Sequence, residues 1–197
     1  SACSNVTGIF TPVHEMARLM HRAGGIALID YSASAPYVDV DMHPAGDPEG
    51  ALDAVLFSPH KFLGGPGASG VVIFSRALYH NTVPDEAGGG TVAWTNPWGE
   101  YAFLDDIEAR EDGGTPGFLQ TIKAALAVKL KDAMTVGAMQ AREQAIVPYA
   151  MDRLQAIAGV HLLAPGVRDR LAMLSFWVEN VHYNLMVRLL NDRFGVQ

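Results

Sequence analysis

Two short apolar runs, each followed by polar residues, constrain the fold more than any other feature of this chain. Ile26–Asp30 and Ala54–Phe57 are apolar without alternation, which is typical of strands buried on both faces of a parallel sheet. A third run, Gly70–Phe74, follows the second after a glycine-rich loop. Because that loop is too short for a crossover helix, the second and third strands should be antiparallel neighbours. The sequence therefore predicts an α/β domain built on a mixed sheet.

Apolar residues recur at helical spacing in three other parts of the chain. Thr11–Gly24 has a proline suited to the first helical position, and the pair Gly24–Gly25 stops it, which predicts a helix before the first strand. Leu119–Met134 and Met139–Ile157 predict two long helices, the second bent at Pro148 because proline lacks a backbone N–H. Between them and the strands, residues 83–116 are rich in glycine, proline and aromatic residues, which predicts an ordered loop.

The C-terminal part of the chain has a different character. Two strand-like segments, Val160–Leu163 and Leu171–Val178, precede a helix around Asn184–Arg193, which indicates the beginning of a smaller α+β domain. The abrupt start and end of the sequence lead us to expect a piece of a longer protein. The predicted division is the later half of a large α/β domain over residues 1–135, connecting helices over 136–158 and the opening of a small domain over 159–197.

Composition excludes several classes of partner. The chain has 21 acidic and 14 basic side chains, a net charge of −7, which disfavours binding to nucleic acid. No apolar run approaches the roughly 20 residues that span a bilayer, and no signal peptide is visible, so no membrane is expected. The single cysteine, Cys3, favours a reducing compartment, and we expect the cytoplasm. The seven histidines are dispersed without ligand spacing, so no metal is expected.

Polar residues at the ends of the predicted strands are the candidates for chemistry, because ligands of α/β sheets collect there. Asp30 is either a functional carboxylate or a helix cap. Lys61, in the segment Ser58–Lys61 after the second strand, is either a Schiff-base nucleophile or a surface lysine after a turn. Gly65–Gly70 fits the pattern G-x-G-x-x-G. Since it leads into a predicted strand rather than a helix, a nicotinamide-dependent oxidoreductase is disfavoured.

Several stretches occur together in an order that is typical of one enzyme family. They are Ser4–Val13, Ile26–Asp30, Phe57–Gly67, Gly88–Thr91, Glu108–Pro116 and Ser175–His182. In this combination the chain resembles the aminotransferase class V family of pyridoxal-phosphate enzymes, which includes cysteine desulfurases and selenocysteine lyases. The resemblance covers nearly the whole chain. It implies the α/β fold of fold-type I transferases, with a mixed, mainly parallel sheet, flanking helices and a small α+β domain.

The resemblance assigns roles to residues at both strand ends. It implies that Lys61 forms a Schiff base with pyridoxal 5'-phosphate and later moves the α-proton of the substrate. Asp30 would pair with the pyridinium nitrogen of the cofactor and keep it protonated, so that the ring can stabilise a carbanion. Ser58 and His60 would bind the cofactor phosphate.

Two further cofactor residues, and one departure from the family, follow from the same resemblance. Asn5 would lie near the cofactor O3′ and the substrate carboxylate. Thr115 would reach the phosphate of the neighbouring subunit's cofactor, which implies a homodimer with shared sites. The family commonly has glutamine three residues after the aspartate, where this chain has Ala33 between Ser32 and Ser34. Either a serine takes its place or the electronics of the ring are tuned differently.

The function implied is chemistry on an amino acid. Sulfur or selenium abstraction of the cysteine desulfurase and selenocysteine lyase type comes first, and class V transamination is the alternative. Cys3 does not match the desulfurase nucleophile and is expected to be a buried small residue. The catalytic cysteine and the substrate-binding arginine are expected after Gln197. A non-catalytic dimerisation module that kept the fold is the rival reading, but packing alone would not require Asp30 and Lys61.

Overall fold

The predicted sheet is present in the computed structural model, which describes residues 1–196. β1 (Leu28–Asp30) pairs in parallel with β2 (Ala54–Phe57), and β2 pairs antiparallel with β3 (Val71–Phe74). The mixed sheet and the direction of each pair are as predicted, because β2 and β3 are joined by a short loop. Since β3 is a strand, Gly65–Gly70 does not open a helix, and the basis for dinucleotide binding is removed.

In the β1–β2 pair, one face of the sheet is more deeply buried than the other within residues 1–196. Ile29 and Val55, which are register partners, are buried, whereas Leu28 and Leu56 are 54% and 38% exposed. The expectation of strands covered on both faces is therefore wrong for this part of the molecule. The buried face joins one core cluster that contains residues of α1 (Val13–Arg22) and α3 (Phe118–Met134).

The helix α3 forms where it was predicted but packs through a different face. The predicted apolar stripe is exposed, from Leu119 at 79% to Leu130 at 39%. The buried residues are Ala124 and Ala127, which present little side chain at the contact. Ala127 belongs to the same core cluster as Phe62, the residue that follows the Lys61 turn.

Residues 83–116 contain regular structure where we expected a loop. β4 (Val92–Thr95) and β5 (Tyr101–Phe103) form an antiparallel hairpin, and α2 (Ile107–Glu111) follows. The Asn96 Oδ1 atom closes the hairpin turn by accepting from the backbone N–H groups of Trp98 and Glu100, both at 3.0 Å. The prediction of an ordered loop missed this hairpin and helix, because strands this short carry little periodic signal.

The C-terminal part forms a second cluster. α4 (Val136–Gln155) runs through Pro148 without interruption. β6 (Val160–Leu162) pairs antiparallel with β7 (Phe176–Val178), and α5 (Tyr183–Phe194) is the last element. These elements agree with the predicted strands and helix, although β7 is shorter than expected. The division into residues 1–135, 136–158 and 159–197 stays a prediction, and Gln197 lies outside the described residues. Across residues 1–196, no helix is long and apolar enough to cross a membrane.

Candidate active site

The ends of the two parallel strands bring Asp30 and Ser58 to the same edge of the sheet. β1 ends at Asp30, and Ser58 follows the last residue of β2; the carboxyl ends of parallel strands lie at one edge. Ser32 connects the two residues. Its backbone N–H donates to Asp30 Oδ1 at 2.7 Å, and its Oγ lies 3.2 Å from Ser58 Oγ. Two of the predicted site residues are thus joined through a third.

The Asp30 carboxylate is held in its charged form. Burial acts to raise its pKa, but hydrogen bonding to Ser32 and the positive charge of Lys61 lower it, and the result is a pKa below the ordinary value of 3.8. Asp30 is therefore ionised at neutral pH. A carboxylate of this kind can stabilise a positive charge placed next to it.

His60 and Lys61 are presented by a tight turn with buried flanks. Pro59–Lys61 forms one 3-10 turn, in which the Lys61 N–H donates to the Ser58 carbonyl at 3.0 Å. Pro59 is buried and Phe62 is only 5% exposed, whereas His60 and Lys61 are exposed. The flanks anchor the turn in the core and leave both polar side chains free to meet a ligand.

A cavity adjoins this turn. It measures about 390 Å³, within the range of small-molecule sites, and its walls include His60, Lys61, Tyr37, Met134 and Met139. Neither Asp30 nor Ser58 lines it. The cavity therefore opens beside Lys61 and does not extend to the Asp30–Ser58 pair.

Asn5 lies in a loop attached to the same edge of the sheet. The Ala2 N–H donates to the Asp30 carbonyl at 2.8 Å, and Ser4 Oγ accepts from the N–H groups of Val6 and Thr7 at 3.2 and 3.1 Å. The Asn5 side chain is exposed and forms no hydrogen bond with residues 1–196 in the structure. The structure thus places the loop next to Asp30, while the role of Asn5 stays a prediction.

Thr115 lies apart from this cluster. It is exposed in the loop between α2 and α3, which is held by a 2.8 Å hydrogen bond from Gly114 N–H to the Gly89 carbonyl. Glu111 also steadies this region, accepting from Tyr79 and, at 3.0 Å, from the Asp85 N–H. Among the described residues, no hydrogen bond connects Thr115 to the Asp30 cluster, and its predicted role in a neighbouring subunit stays a prediction.

Sequence reasoning missed the role of Arg170. Its side chain is 5% exposed and donates to the backbone carbonyls of Val167 (2.6 Å), Thr7 (3.2 Å), Leu163 (3.2 Å) and Ala164. It therefore holds the Asn5 loop against the C-terminal part of the chain. No local signal distinguishes it from other arginines, because all four acceptors are backbone atoms.

Cys3 and the acidic and histidine residues carry no further site in this part of the molecule. Cys3 is fully buried, as expected, and burial together with the charge of Glu143 raises the pKa of its thiol. A protonated, buried thiol is a poor nucleophile. Within residues 1–196, no three His, Cys, Asp or Glu side chains are grouped so that they could hold a metal ion.

Comparison with known proteins decides the family. The sequence model of the family described as aminotransferase class-V matches residues 1–197. The chain belongs to the aminotransferase class V family. Its curated relatives include a probable cysteine desulfurase 2 of Mycobacterium leprae (strain TN), 31% identical over 190 residues, which cover 96% of this chain and 44% of the relative. A probable cysteine desulfurase of Halobacterium salinarum is 32% identical over 193 residues, with 98% and 44% covered.

Solved structures agree with this class V assignment. The apo cysteine desulfurase of Thermococcus onnurineus NA1 superposes with a TM-score of 0.77 at 23% identity, covering 96% of this chain and 46% of that one. The Escherichia coli cysteine desulfurase CsdA also superposes with a TM-score of 0.77 at 23% identity, covering 96% of this chain and 45% of that one. The predicted fold class is therefore confirmed. This class V chain spans a little under half the length of the relatives it matches.

Proposed function

We propose that this protein is a pyridoxal-phosphate enzyme of the cysteine desulfurase type, acting on cysteine. The observation that carries the proposal is the cluster at the carboxyl edge of the sheet, where Ser32 joins the Asp30 carboxylate to the Ser58 hydroxyl. The Lys61 turn follows Ser58 directly. The names of the curated relatives support the choice of cysteine as substrate.

The donor set of the cluster fits pyridoxal phosphate group by group. An ionised Asp30 suits a protonated ring nitrogen, and Ser58 and His60 can donate hydrogen bonds to a phosphate. The exposed amine of Lys61 suits the aldehyde. A related protein, the C-DES variant K223A, has been described with glycine covalently linked to its pyridoxal-phosphate cofactor; it superposes with a TM-score of 0.70 at 20% identity, with 95% and 49% covered. When bound, the cofactor supplies an electron sink for negative charge at the substrate α-carbon.

The side chains then have separate tasks. Asp30 holds a proton on the ring nitrogen, Ser58 and His60 hold the phosphate, and Lys61 Nζ carries the α-proton of the substrate to and from carbon. Asn5, on the loop next to Asp30, orients the ring oxygen and the substrate carboxylate. Cys3 does not accept sulfur, because it is fully buried with a raised thiol pKa.

We also propose a homodimer in which Thr115 serves the neighbouring site, since Thr115 is exposed and has no hydrogen bond to the Asp30 cluster in the described part of its own chain. The expected location is the cytoplasm, supported by a cysteine content too low for disulfides.

Covalent labelling tests the cofactor assignment. The complete protein is mixed with pyridoxal phosphate, reduced with borohydride and digested, and the modified lysine is identified by mass spectrometry. We expect a pyridoxyl adduct on Lys61 that is lost in Lys61→Ala and kept in Lys129→Ala, which alters an exposed lysine of α3. Absence of an adduct, or one that persists in Lys61→Ala, overturns the assignment.

Product analysis tests the substrate. With cysteine and excess dithiothreitol, desulfuration yields alanine and sulfide in equal amounts, because the dithiol supplies the two electrons that reduce the sulfur. With 2-oxoglutarate added as amino acceptor, transamination would instead yield 3-mercaptopyruvate and glutamate in equal amounts, without sulfide. We expect alanine and sulfide, and formation of 3-mercaptopyruvate and glutamate in their place would replace desulfuration by transamination.

A further inference from the structure

Ser32 contacts both Asp30 and Ser58 of the candidate site, and it flanks Ala33, the position at which the family commonly has glutamine. Its backbone N–H donates to Asp30 Oδ1 at 2.7 Å, and its hydroxyl lies 3.2 Å from the Ser58 hydroxyl. Ser32 thus contacts the end of β1 through its backbone N–H and the end of β2 through its hydroxyl.

The local fold leaves Ser32 little freedom. After β1, the Tyr31 N–H donates to the Leu56 carbonyl of β2 at 2.8 Å, and the chain then turns, with the Ser34 and Ala35 N–H groups donating to the Tyr31 carbonyl at 2.9 and 2.7 Å. Tyr31 and Ser34 are 5% and 1% exposed, so the turn is anchored on both sides of Ser32. The anchored turn sets the Ser32 hydroxyl against the end of β2.

We propose that Ser32 is a positioning residue that couples Asp30 to Ser58, so that the carboxylate and the hydroxyl hold a bound ligand as one unit. The inference rests on the proposed function, because that function makes Asp30 and Ser58 the partners of the ring nitrogen and the phosphate. It extends that function to a residue that touches neither group itself.

The chemistry of the two hydroxyls sets the direction of the coupling. Each serine hydroxyl has one proton and two acceptor lone pairs. When Ser58 donates its proton to a phosphate oxygen, the Ser32 hydroxyl has to be the donor to Ser58. A chain of donors from Ser32 through Ser58 to the phosphate then forms, and hydrogen bonds in such a chain strengthen one another. Removing the first member should weaken the second.

Ligand affinity tests the coupling in the complete protein. Dissociation constants for pyridoxal phosphate and for pyridoxal, which lacks the phosphate, are measured for wild type, Ser32→Ala, Ser58→Ala and the double variant. We expect Ser32→Ala to raise the dissociation constant for pyridoxal phosphate about five-fold, as for the loss of one neutral hydrogen bond. Pyridoxal affinity should stay the same, and the double variant should bind no more weakly than Ser58→Ala alone. Additive losses, or equal losses for both ligands, overturn the coupling.

Ser34→Ala is the matched control. Its hydroxyl lies two residues away, is buried and has no hydrogen-bond partner in the described part of the chain, so its removal should leave both affinities unchanged. Ser32→Thr keeps a hydroxyl at this position, so its affinity for pyridoxal phosphate should be close to that of wild type and higher than that of Ser32→Ala. Ser32→Cys keeps the side-chain volume but is a weak donor, so it should reproduce Ser32→Ala and replaces it if the alanine variant does not fold.

A titration without ligand separates this proposal from the proposed function. The carboxyl ¹³C shift of Asp30 is followed with pH in the ligand-free protein, where hydrogen bonding to Ser32 lowers the Asp30 pKa. Ser32→Pro removes the backbone N–H that Asp30 accepts, at the second position of the Tyr31–Ser34 turn, which suits proline. It should raise that pKa, whereas Ser34→Ala should leave it unchanged. If wild type binds no pyridoxal phosphate, the proposed function fails while this titration still decides the Ser32–Asp30 link. An unchanged Asp30 titration in Ser32→Pro overturns the link.

Discussion

The polar residues of the candidate site are exposed or half-buried, and several of them are adjacent to fully packed residues. His60 and Lys61 are exposed between Pro59 and Phe62, which are buried. Ser32 stands between Tyr31 and Ser34, which are buried as well. Because packed neighbours restrict the backbone, they help to hold the polar side chains in position. Changes to these neighbours should therefore affect the site as much as changes to the polar residues.

Gly65 is one such neighbour. A Cβ atom at this position would lie 1.8 Å from the carbonyl oxygen of Pro59, which is too close for the Lys61 turn to stay in place. We expect Gly65→Ala to lower the free energy of unfolding by about 1–3 kcal/mol and to reduce pyridoxyl labelling of Lys61. Urea unfolding and mass spectrometry measure the two effects.

Gly70→Ala is the control for that substitution, because a Cβ atom there has no neighbour within 4 Å. It should leave the labelling of Lys61 as in wild type. Equal losses of labelling in the two variants would contradict a steric origin.

Asp30 is expected to govern turnover more than binding. Asp30→Asn keeps the size and the hydrogen-bonding oxygen of the side chain but removes the negative charge next to the ring nitrogen. We expect pyridoxal phosphate to remain bound and turnover to fall about 10²–10³-fold, the scale of a lost electrostatic stabiliser. Steady-state kinetics check this, with the exposed Asp39→Asn as control. Unchanged turnover in Asp30→Asn would remove Asp30 from the mechanism.

At the level of elements, the sequence predicted the parts that show periodic or apolar runs. β2 was predicted over its full length and α1 to within two residues at each end, because unalternated runs and glycine stops are local signals. The β4–β5 hairpin was missed, since strands of four and three residues carry little periodic signal. Its turn contains Gly99 at a φ of +88° and is closed by the Asn96 side chain. The packing face of α3 was also missed, because the contact is made by alanines and not by its larger apolar residues.

The contact between α1 and residues 47–53 should depend on pH. His21 Nε2 lies 2.8 Å from Asp53 Oδ2, and Nδ1 lies 2.7 Å from the Glu49 carbonyl oxygen. Two acceptors favour the doubly protonated ring, and the hydrogen bond to Asp53 is the largest cause that raises the His21 pKa above 6.5. A raised pKa in the folded state means that the stabilisation is complete below pH 6.5 and is lost as the pH rises through the folded-state value.

Urea unfolding between about pH 5.5 and 8.5 measures this loss, a range that brackets the histidine titration. His21→Gln should flatten the decline of stability with rising pH, whereas the exposed His80→Gln should leave it unchanged. A decline of equal size in His21→Gln would assign the pH dependence to other groups.

At the scale of the whole molecule, the beginning of the chain is held by its C-terminal part. Ser175 Oγ donates to the Val6 carbonyl at 2.6 Å, and the Leu171 N–H donates to the Gly8 carbonyl at 2.9 Å. Arg170 adds a 3.2 Å bond to Thr7. The Asn5 loop, residues 4–8, is thus held between the edge of the β1–β3 sheet and residues 170–175. No sequence pattern indicates these contacts, because backbone atoms provide every acceptor in them.

Gly8 permits the close contact between the Asn5 loop and Leu171. Its φ is +72°, and a Cβ atom would lie 2.5 Å from the Leu171 carbonyl oxygen. Gly24, with φ +75°, has the same left-handed backbone but no neighbour within 4 Å of a Cβ atom. The two alanine substitutions share the backbone strain, so the difference between them isolates the contact with Leu171. We expect Gly8→Ala to lower the free energy of unfolding by about 1–3 kcal/mol more than Gly24→Ala.

Because the same contact holds the Asn5 loop against the site, Gly8→Ala should also raise the KM for cysteine, while Gly24→Ala should not. Urea unfolding and steady-state kinetics of the two variants test both effects. Equal destabilisation of the two variants would mean that the backbone at Leu171 shifts to accommodate the added methyl group without loss of stability. An unchanged KM alongside greater destabilisation would separate the stability of this contact from the placement of Asn5.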